Sequence, residues 1–251
     1  MSRRIGFWYR LAALLLKPPL LLLFRRDWRG TEHIPAEGGF ITAVNHNSFL
    51  DPISYAHFQY NTGRVPRFLA KAALFGDGLV GRFMRGSGQI PVYRDSADAA
   101  GAFRAAVEAV NRGECVAFYP EGTLTRDPEL WPMKGKTGAA RVALLTRAPV
   151  IPVAQWGAHL VMPPYAKKKK LRLFPRKTLQ VVAGPPVDLT RFYDRELTAE
   201  LLEEATEAIM AAITDLLADL RGETPPAVRY DHRRSQGADP AGESPGERNG
   251  G

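Results

Sequence analysis

Residues 39–51 read GFITAVNHNSFLD. The first six, GFITAV, form an apolar run of strand length and suit a buried strand. Residues 49–58 suit a helix, so the polar residues between them form a strand-to-helix loop. The same alternation repeats outward from this stretch. Strands are expected at 66–70, 114–119 (ECVAFY), 149–154 (PVIPVA) and 178–183 (TLQVVA). Helices are expected in pieces up to about residue 85, then at 96–112, 137–147 and 198–220. The last is the clearest: Leu201, Leu202, Ala205, Ile209, Ile213, Leu216, Leu217 and Leu220 recur at helical spacing behind Thr198, a residue type that caps helix starts. Such a rhythm argues an α/β fold, a sheet with helices on both faces.

The loop itself carries His46, with Asp51 five residues on. Five residues of continuous helix turn through about 500°, which separates two side chains. The pair becomes useful only if His46 stands in the loop and Asp51 in the first helical turn, with Asn47 or Ser48 as the expected cap. Asp51 then accepts a hydrogen bond from one imidazole nitrogen and leaves the other to take a proton from a substrate hydroxyl. Two further stretches carry polar groups at strand ends. In YPEGTLTR, residues 119–126, Pro120 and Gly122 enforce a turn whose amides could face an anion, and Glu121, Thr123 and Arg126 offer a carboxylate, a hydroxyl and a cation. In GSGQIPVYR, residues 86–94, glycines precede a short strand that ends on Arg94, a residue type suited to gripping phosphate.

Taken in order, these stretches resemble the glycerolipid acyltransferases of the 1-acylglycerol-3-phosphate acyltransferase type. The His-x4-Asp block is His46 to Asp51, with Asn45 before it; the second block is Ile90, Val92 and Arg94 behind glycines. The third is PEGT at 120–123, with Tyr119 where that family usually carries Phe, and the fourth is Val150-Ile151-Pro152. Lys134-Gly135-Lys136-Thr137-Gly138 falls where members carry a Lys-Gly-rich turn before a helix. The resemblance covers about residues 25–190. It implies a mixed, largely parallel central sheet flanked by helices, with an amphipathic, membrane-contacting helix at the N-terminus. It implies His46 as general base, Asp51 as its partner, and Arg94, Glu121, Gly122 and Thr123 at the acceptor's phosphate. The co-substrate implied is an acyl-CoA or acyl-carrier-protein thioester, with no bound cofactor and no metal, and the acceptor a lysophospholipid.

Charge and hydropathy agree with work at a membrane. The net charge of +8 is concentrated rather than spread. Residues 1–26 hold six basic side chains and no acid, and residues 163–177 hold seven more, including the run Lys167–Lys170. Each basic group near an anionic bilayer is worth about 1 kcal/mol. Residues 5–24 are apolar but interrupted by Arg10, Lys17 and Pro18-Pro19, and fall short of the roughly 20 uninterrupted residues a span needs. Arg10 and Lys17 share one helical face, with Phe7, Trp8, Leu11, Leu14 and Leu15 largely on the other, which is the pattern of a helix lying in the interface. No small-residue cleavage site follows Phe24, as a signal peptide would require. The expected organisation is a membrane-associated segment at 1–26, a catalytic domain at 27–221 and a disordered tail at 222–251, whose Gly, Pro and charged residues bury too little to offset their ordering entropy. The expected location is peripheral, on the cytoplasmic face of the cell membrane.

Three other readings are weaker. Cys115, the single cysteine, lies in an apolar strand where thiols are usually inert, which disfavours a covalent intermediate there. A nucleic-acid binder would suit the pI of 9.7, but no aromatics are interleaved with the lysine run for base stacking. A non-catalytic membrane adaptor would not need the His46/Asp51 pair.

Overall fold

The structure, a computed structural model, describes residues 5–93, 99–166 and 171–231. Arg94 and the lysine run 167–170 lie outside the described residues. The elements follow the order α1 (Phe7–Leu23), β1 (Phe24–Arg29), β2 (Phe40–Val44), α2 (Asp51–Asn61), β3 (Pro66–Lys71), α3 (Leu79–Gly86), β4 (Ile90–Val92), α4 (Ala99–Asn111), β5 (Cys115–Phe118), α5 (Gly138–Thr146), β6 (Val150–Trp156), α6 (Ala158–Val161), β7 (Lys177–Ala183) and α7 (Ala199–Arg221). Seven strands form one sheet in the order β1-β7-β6-β2-β5-β3-β4. Every neighbouring pair is parallel except β6 with β7. The expected α/β fold with a mixed, largely parallel sheet is the one observed.

Strand periodicity sorts the core into two layers. From β2, Ile41 and Ala43 face α4, α5 and α7, together with Val116, Phe118 and Val150. Phe40 and Val44 face the opposite way, with Ala117, Ile151 and Val153, onto Tyr55 and Phe58 of α2. β2 is buried over its whole length because it is central and covered on both sides. Thr198 caps α7 as expected, its side chain accepting the Leu201 amide. At the other end Gly222, at φ +65°, closes the helix through its N–H to the Ala218 carbonyl.

Four expectations are corrected. Pro18 and Pro19 do not break the N-terminal helix; α1 runs through them. The carbonyls that lose their donors are those of Leu14 and Leu15, which sit on an exposed stretch where the surroundings can replace the bond. Lys17 does not join Arg10 on the outside: its ammonium donates to Asn61 Oδ1 at 3.1 Å and lies 5.2 Å from the centre of the Tyr60 ring. Strand β1 begins inside the segment assigned to membrane contact and is the parallel edge partner of β7. The ordered chain also runs past Gly222. Arg229 pairs with Glu207 and lies 3.4 Å from Thr214 Oγ1 on α7, and the Tyr230 carbonyl accepts the Lys134 amide at 3.0 Å. Residues 222–231 therefore form a strap held by polar contacts to α7 and to the Lys134 turn.

Candidate active site

The site is built where β2 and β5 end. Just beyond β2, Asn45 extends the sheet by one side-chain rung: its Nδ2 donates to the Gln155 carbonyl at 3.0 Å and its Oδ1 accepts the Gln155 amide at 2.6 Å. The next residue, His46, is fixed by its backbone on both sides. Its amide donates to Glu121 Oε1 at 3.0 Å, and its carbonyl accepts the Thr125 amide at 2.7 Å.

The imidazole is held as firmly. Its Nδ1 lies 3.1 Å from Asp51 Oδ2, and its face stacks on the Tyr119 ring with centroids 4.2 Å apart and planes at 26°. Phe68 stacks behind Tyr119 in turn, 6.1 Å away. Asp51 is the first residue of α2 and is buried. Its Oδ2 also accepts the amides of Asn47 at 2.6 Å and Ser48 at 2.7 Å. An ionised carboxylate only accepts, so Nδ1 carries the ring proton and Nε2 is left with its lone pair. The expected cap at Asn47 or Ser48 is not made; Leu50 is the N-cap residue and no side chain caps it. Ser48 Oγ instead accepts the Leu50 amide at 3.1 Å and donates to the Met162 carbonyl at 2.9 Å, bracing the loop against α6.

Of the residues expected at the acceptor's anion, Glu121, Gly122 and Thr123 line the same cavity as His46, while Arg94 lies outside the described residues. Glu121 is 3% exposed and turned inward. Both its oxygens accept backbone amides, Oε1 from His46 and Oε2 from Met133 at 3.0 Å. Burial pushes this carboxyl up to about 8 against the pull of those two amides, so it is mostly neutral at pH 7. Sequence reading missed three neighbours: the Tyr119 stack, Lys71 at the end of β3, and Lys136, whose side chain lies against Gly122. The Lys-Gly-rich turn was the available signal for Lys136. Nothing in the sequence pattern marked Tyr119 as a stacking partner.

The cavity measures about 1570 Å³. Its apolar lining includes Leu16, Leu20, Phe49, Ile53, Leu74 and Phe83. Its charged lining includes Lys71, Lys134, Lys136 and Arg141 with Glu203 and Asp231. His46 therefore shares one cavity with apolar and with charged side chains. Cys115 is buried, and burial pushes its thiol up to about 12, which leaves no thiolate to act as a nucleophile.

An oriented base in a cavity lined by both apolar and charged side chains suits chemistry on an amphipathic substrate. The family described as Acyltransferase matches residues 25–156, and the chain belongs to it. Among individual relatives, the chain is 27% identical over 211 residues to the 1-acyl-sn-glycerol-3-phosphate acyltransferase of Bacillus subtilis, covering 83% of this chain and 96% of that one. It is 29% identical over 162 residues to the chloroplastic 1-acyl-sn-glycerol-3-phosphate acyltransferase BAT2 of Brassica napus, covering 64% of this chain and spanning 45% of the plant protein's length. The crystal structure of the 1-acyl-sn-glycerophosphate (LPA) acyltransferase PlsC from Thermotoga maritima shares the fold, with a TM-score of 0.64 and 23% identity over 87% of this chain and 81% of that one.

Proposed function

We propose that the protein transfers a fatty acyl group from a thioester, acyl-CoA or acyl-carrier protein, to the free sn-2 hydroxyl of 1-acylglycerol 3-phosphate. The observation that carries this reading is the His46–Asp51 pair, 3.1 Å apart, in a cavity with a largely apolar lining. His46 Nε2 removes the hydroxyl proton as the oxygen attacks the thioester carbonyl. Asp51 holds the tautomer and stabilises the imidazolium. The tetrahedral intermediate then collapses, the carbon–sulfur bond breaks, and the imidazolium proton goes to the departing thiolate. General base catalysis of this kind is worth about 10²–10⁴-fold. Glu121 serves this chemistry indirectly, tying the His46 loop to Met133; being mostly neutral, it adds little repulsion against a nearby phosphate.

The names of the Bacillus and Brassica relatives support 1-acyl-sn-glycerol 3-phosphate as acceptor. We place the reaction at a membrane surface on its cytoplasmic side. Phe7, Leu14, Leu15 and Leu22 of α1 are exposed, each more than half, with Arg10 among them. Among the described residues no helix is long and apolar enough to cross a membrane. The test is purified protein with a panel of lysophospholipid acceptors and both donor types, read by mass spectrometry. His46→Ala should abolish product while leaving the unfolding transition in place. Wild-type turnover in that variant would end the assignment.

A further inference from the structure

We propose that Tyr119 is a positioning residue for catalysis: its ring face stabilises the imidazolium that His46 becomes when it takes the substrate's proton. The proposal deepens the acyl-transfer reading above and rests on it. An imidazole has two edges and two faces. Both edges of His46 are committed, Nδ1 to Asp51 at 3.1 Å and Nε2 to the substrate hydroxyl. The N–H and the lone pair lie in the ring plane, so further stabilisation that leaves both free has to come from a face. Tyr119 covers one face, with centroids 4.2 Å apart and planes at 26°. An aromatic face carries the negative part of the ring quadrupole and attracts a cation within about 6 Å of its centre. The attraction is strongest out of water, and the His46 side chain is 16% exposed. It grows as the proton arrives, and only an interaction that strengthens toward the transition state raises the rate.

The fold holds this ring in place from behind. Tyr119 directly follows β5, and its carbonyl accepts the Gly122 amide at 2.9 Å. β3 and β5 are parallel neighbours, with Phe68 opposite Ala117, two residues before Tyr119. The Phe68 ring lies 6.1 Å from that of Tyr119 with planes at 6°, and Tyr55 of α2 meets Phe68 edge-on, with centroids also 6.1 Å apart. A wall of three aromatic rings therefore backs the imidazole. The phenol oxygen of Tyr119 is buried, so it cannot reach a substrate as an acid or a base. What Tyr119 offers the reaction is its face. The two partners of His46 divide the work: the Asp51 carboxylate turns the ring, and the aromatic face favours its charged form.

Steady-state kinetics with 1-acylglycerol 3-phosphate and an acyl thioester compare wild type with Tyr119→Leu, Tyr119→Phe and a series carrying mono-, di- and trifluorinated phenylalanine at position 119. Fluorine keeps the shape of the ring while draining negative charge from its face. Tyr119→Leu should lower kcat about 5- to 30-fold, the range of a desolvated cation–π contact, with both KM values within about twofold of wild type. Tyr119→Phe should recover most of kcat, and kcat should then fall stepwise with each fluorine toward the leucine value. Rates are expressed per folded molecule from urea unfolding, which removes the stability lost to a smaller residue. A flat fluorine series would overturn the proposal, since packing depends on shape alone; a rise in either KM with kcat unchanged would do the same. If wild type transfers no acyl group, the acyl-transfer reading fails on its own. NMR titration of the His46 ring in the same variants then still decides the role of Tyr119: proton binding that weakens with each fluorine supports it, and identical titrations refute it.

Discussion

Replacing Asp51 by asparagine separates its two tasks. Its Oδ2 accepts three donors, the Asn47 and Ser48 amides and His46 Nδ1. An asparagine carbonyl oxygen in the same place still accepts all three, so the loop should stay folded at a cost of about 1–2 kcal/mol, the difference between charged and neutral acceptors. What asparagine cannot do is stabilise the imidazolium. At 3.1 Å and an effective dielectric near 20, the charge pair is worth about 5 kcal/mol. The amide dipole returns part of that, leaving a loss of about 3–4 kcal/mol in the transition state, or two to three orders of magnitude in kcat. Asp51→Ala, by contrast, strands the buried Asn47 and Ser48 amides and the part-buried His46 Nδ1, and should lower stability by about 3 kcal/mol. Urea unfolding and product formation by mass spectrometry measure both quantities on one preparation. An Asp51→Asn enzyme within threefold of wild-type kcat would show that the carboxylate braces the loop and nothing more, and the base mechanism would lose its orienting group.

Glu121 gives a pH test. Its folded carboxyl titrates at about 8 against an ordinary 4.5, so the folded protein holds a proton that the unfolded chain releases. The contribution is full below about 4.5, is lost as pH rises to about 8, and is flat beyond; the urea midpoint of wild type relative to Glu121→Gln should fall across that window, and a rise would refute the buried neutral form. His57 behaves oppositely: burial and the nearby Lys17 and Arg26 lower it to about 4 from 6.5, so its contribution is present above 6.5 and disappears as pH falls toward 4. Thermal melts of His57→Gln should lack that acid-side decline, and an unaltered decline would assign it elsewhere. Arg229→Ala should release the strap from Glu207 and Thr214, speeding proteolytic cleavage within 222–231 while changing global stability by less than about 1 kcal/mol; unchanged cleavage would mean that the strap is held without the Arg229 contacts.

How much of this was readable depended on which force set each element. β2, β5 and β6 were legible because central strands are covered on both faces and read as apolar runs. α7 was legible from its apolar stripe and its Thr198 cap. β1, with the sequence FRRDWR, was not: an edge strand needs few apolar residues, and its charges also discourage pairing with another chain. The strap at 222–231 was missed because backbone and ion-pair contacts hold it, while Val228 stays exposed. The His46–Asp51 geometry was anticipated from spacing. The inward turn of Glu121 was not, since spacing carries no information on which way a carboxyl points in a turn.

The topology explains why residues 75 positions apart meet. β2 and β5 are parallel neighbours in register, with Ala43 opposite Phe118, so the chain leaves both strands on the same edge of the sheet. From β2 it passes to α2, which packs with Tyr55 and Phe58 on one face; from β5 it passes to α5, which packs with Ala139, Ala140 and Ala143 on the other. Two adjacent strands whose following helices lie on opposite faces leave a crevice between their departing loops, the usual ligand site of such sheets. His46 departs from one lip and Glu121 from the other, and the bond between them closes the base of the crevice. Asn45 repeats the device on the β6 side through Gln155. The base is therefore positioned by backbone pairing that the sheet already fixes. Only the last step, turning the imidazole, is left to the short reach between Nδ1 and Asp51, which is why a one-atom change at residue 51 can separate catalysis from folding.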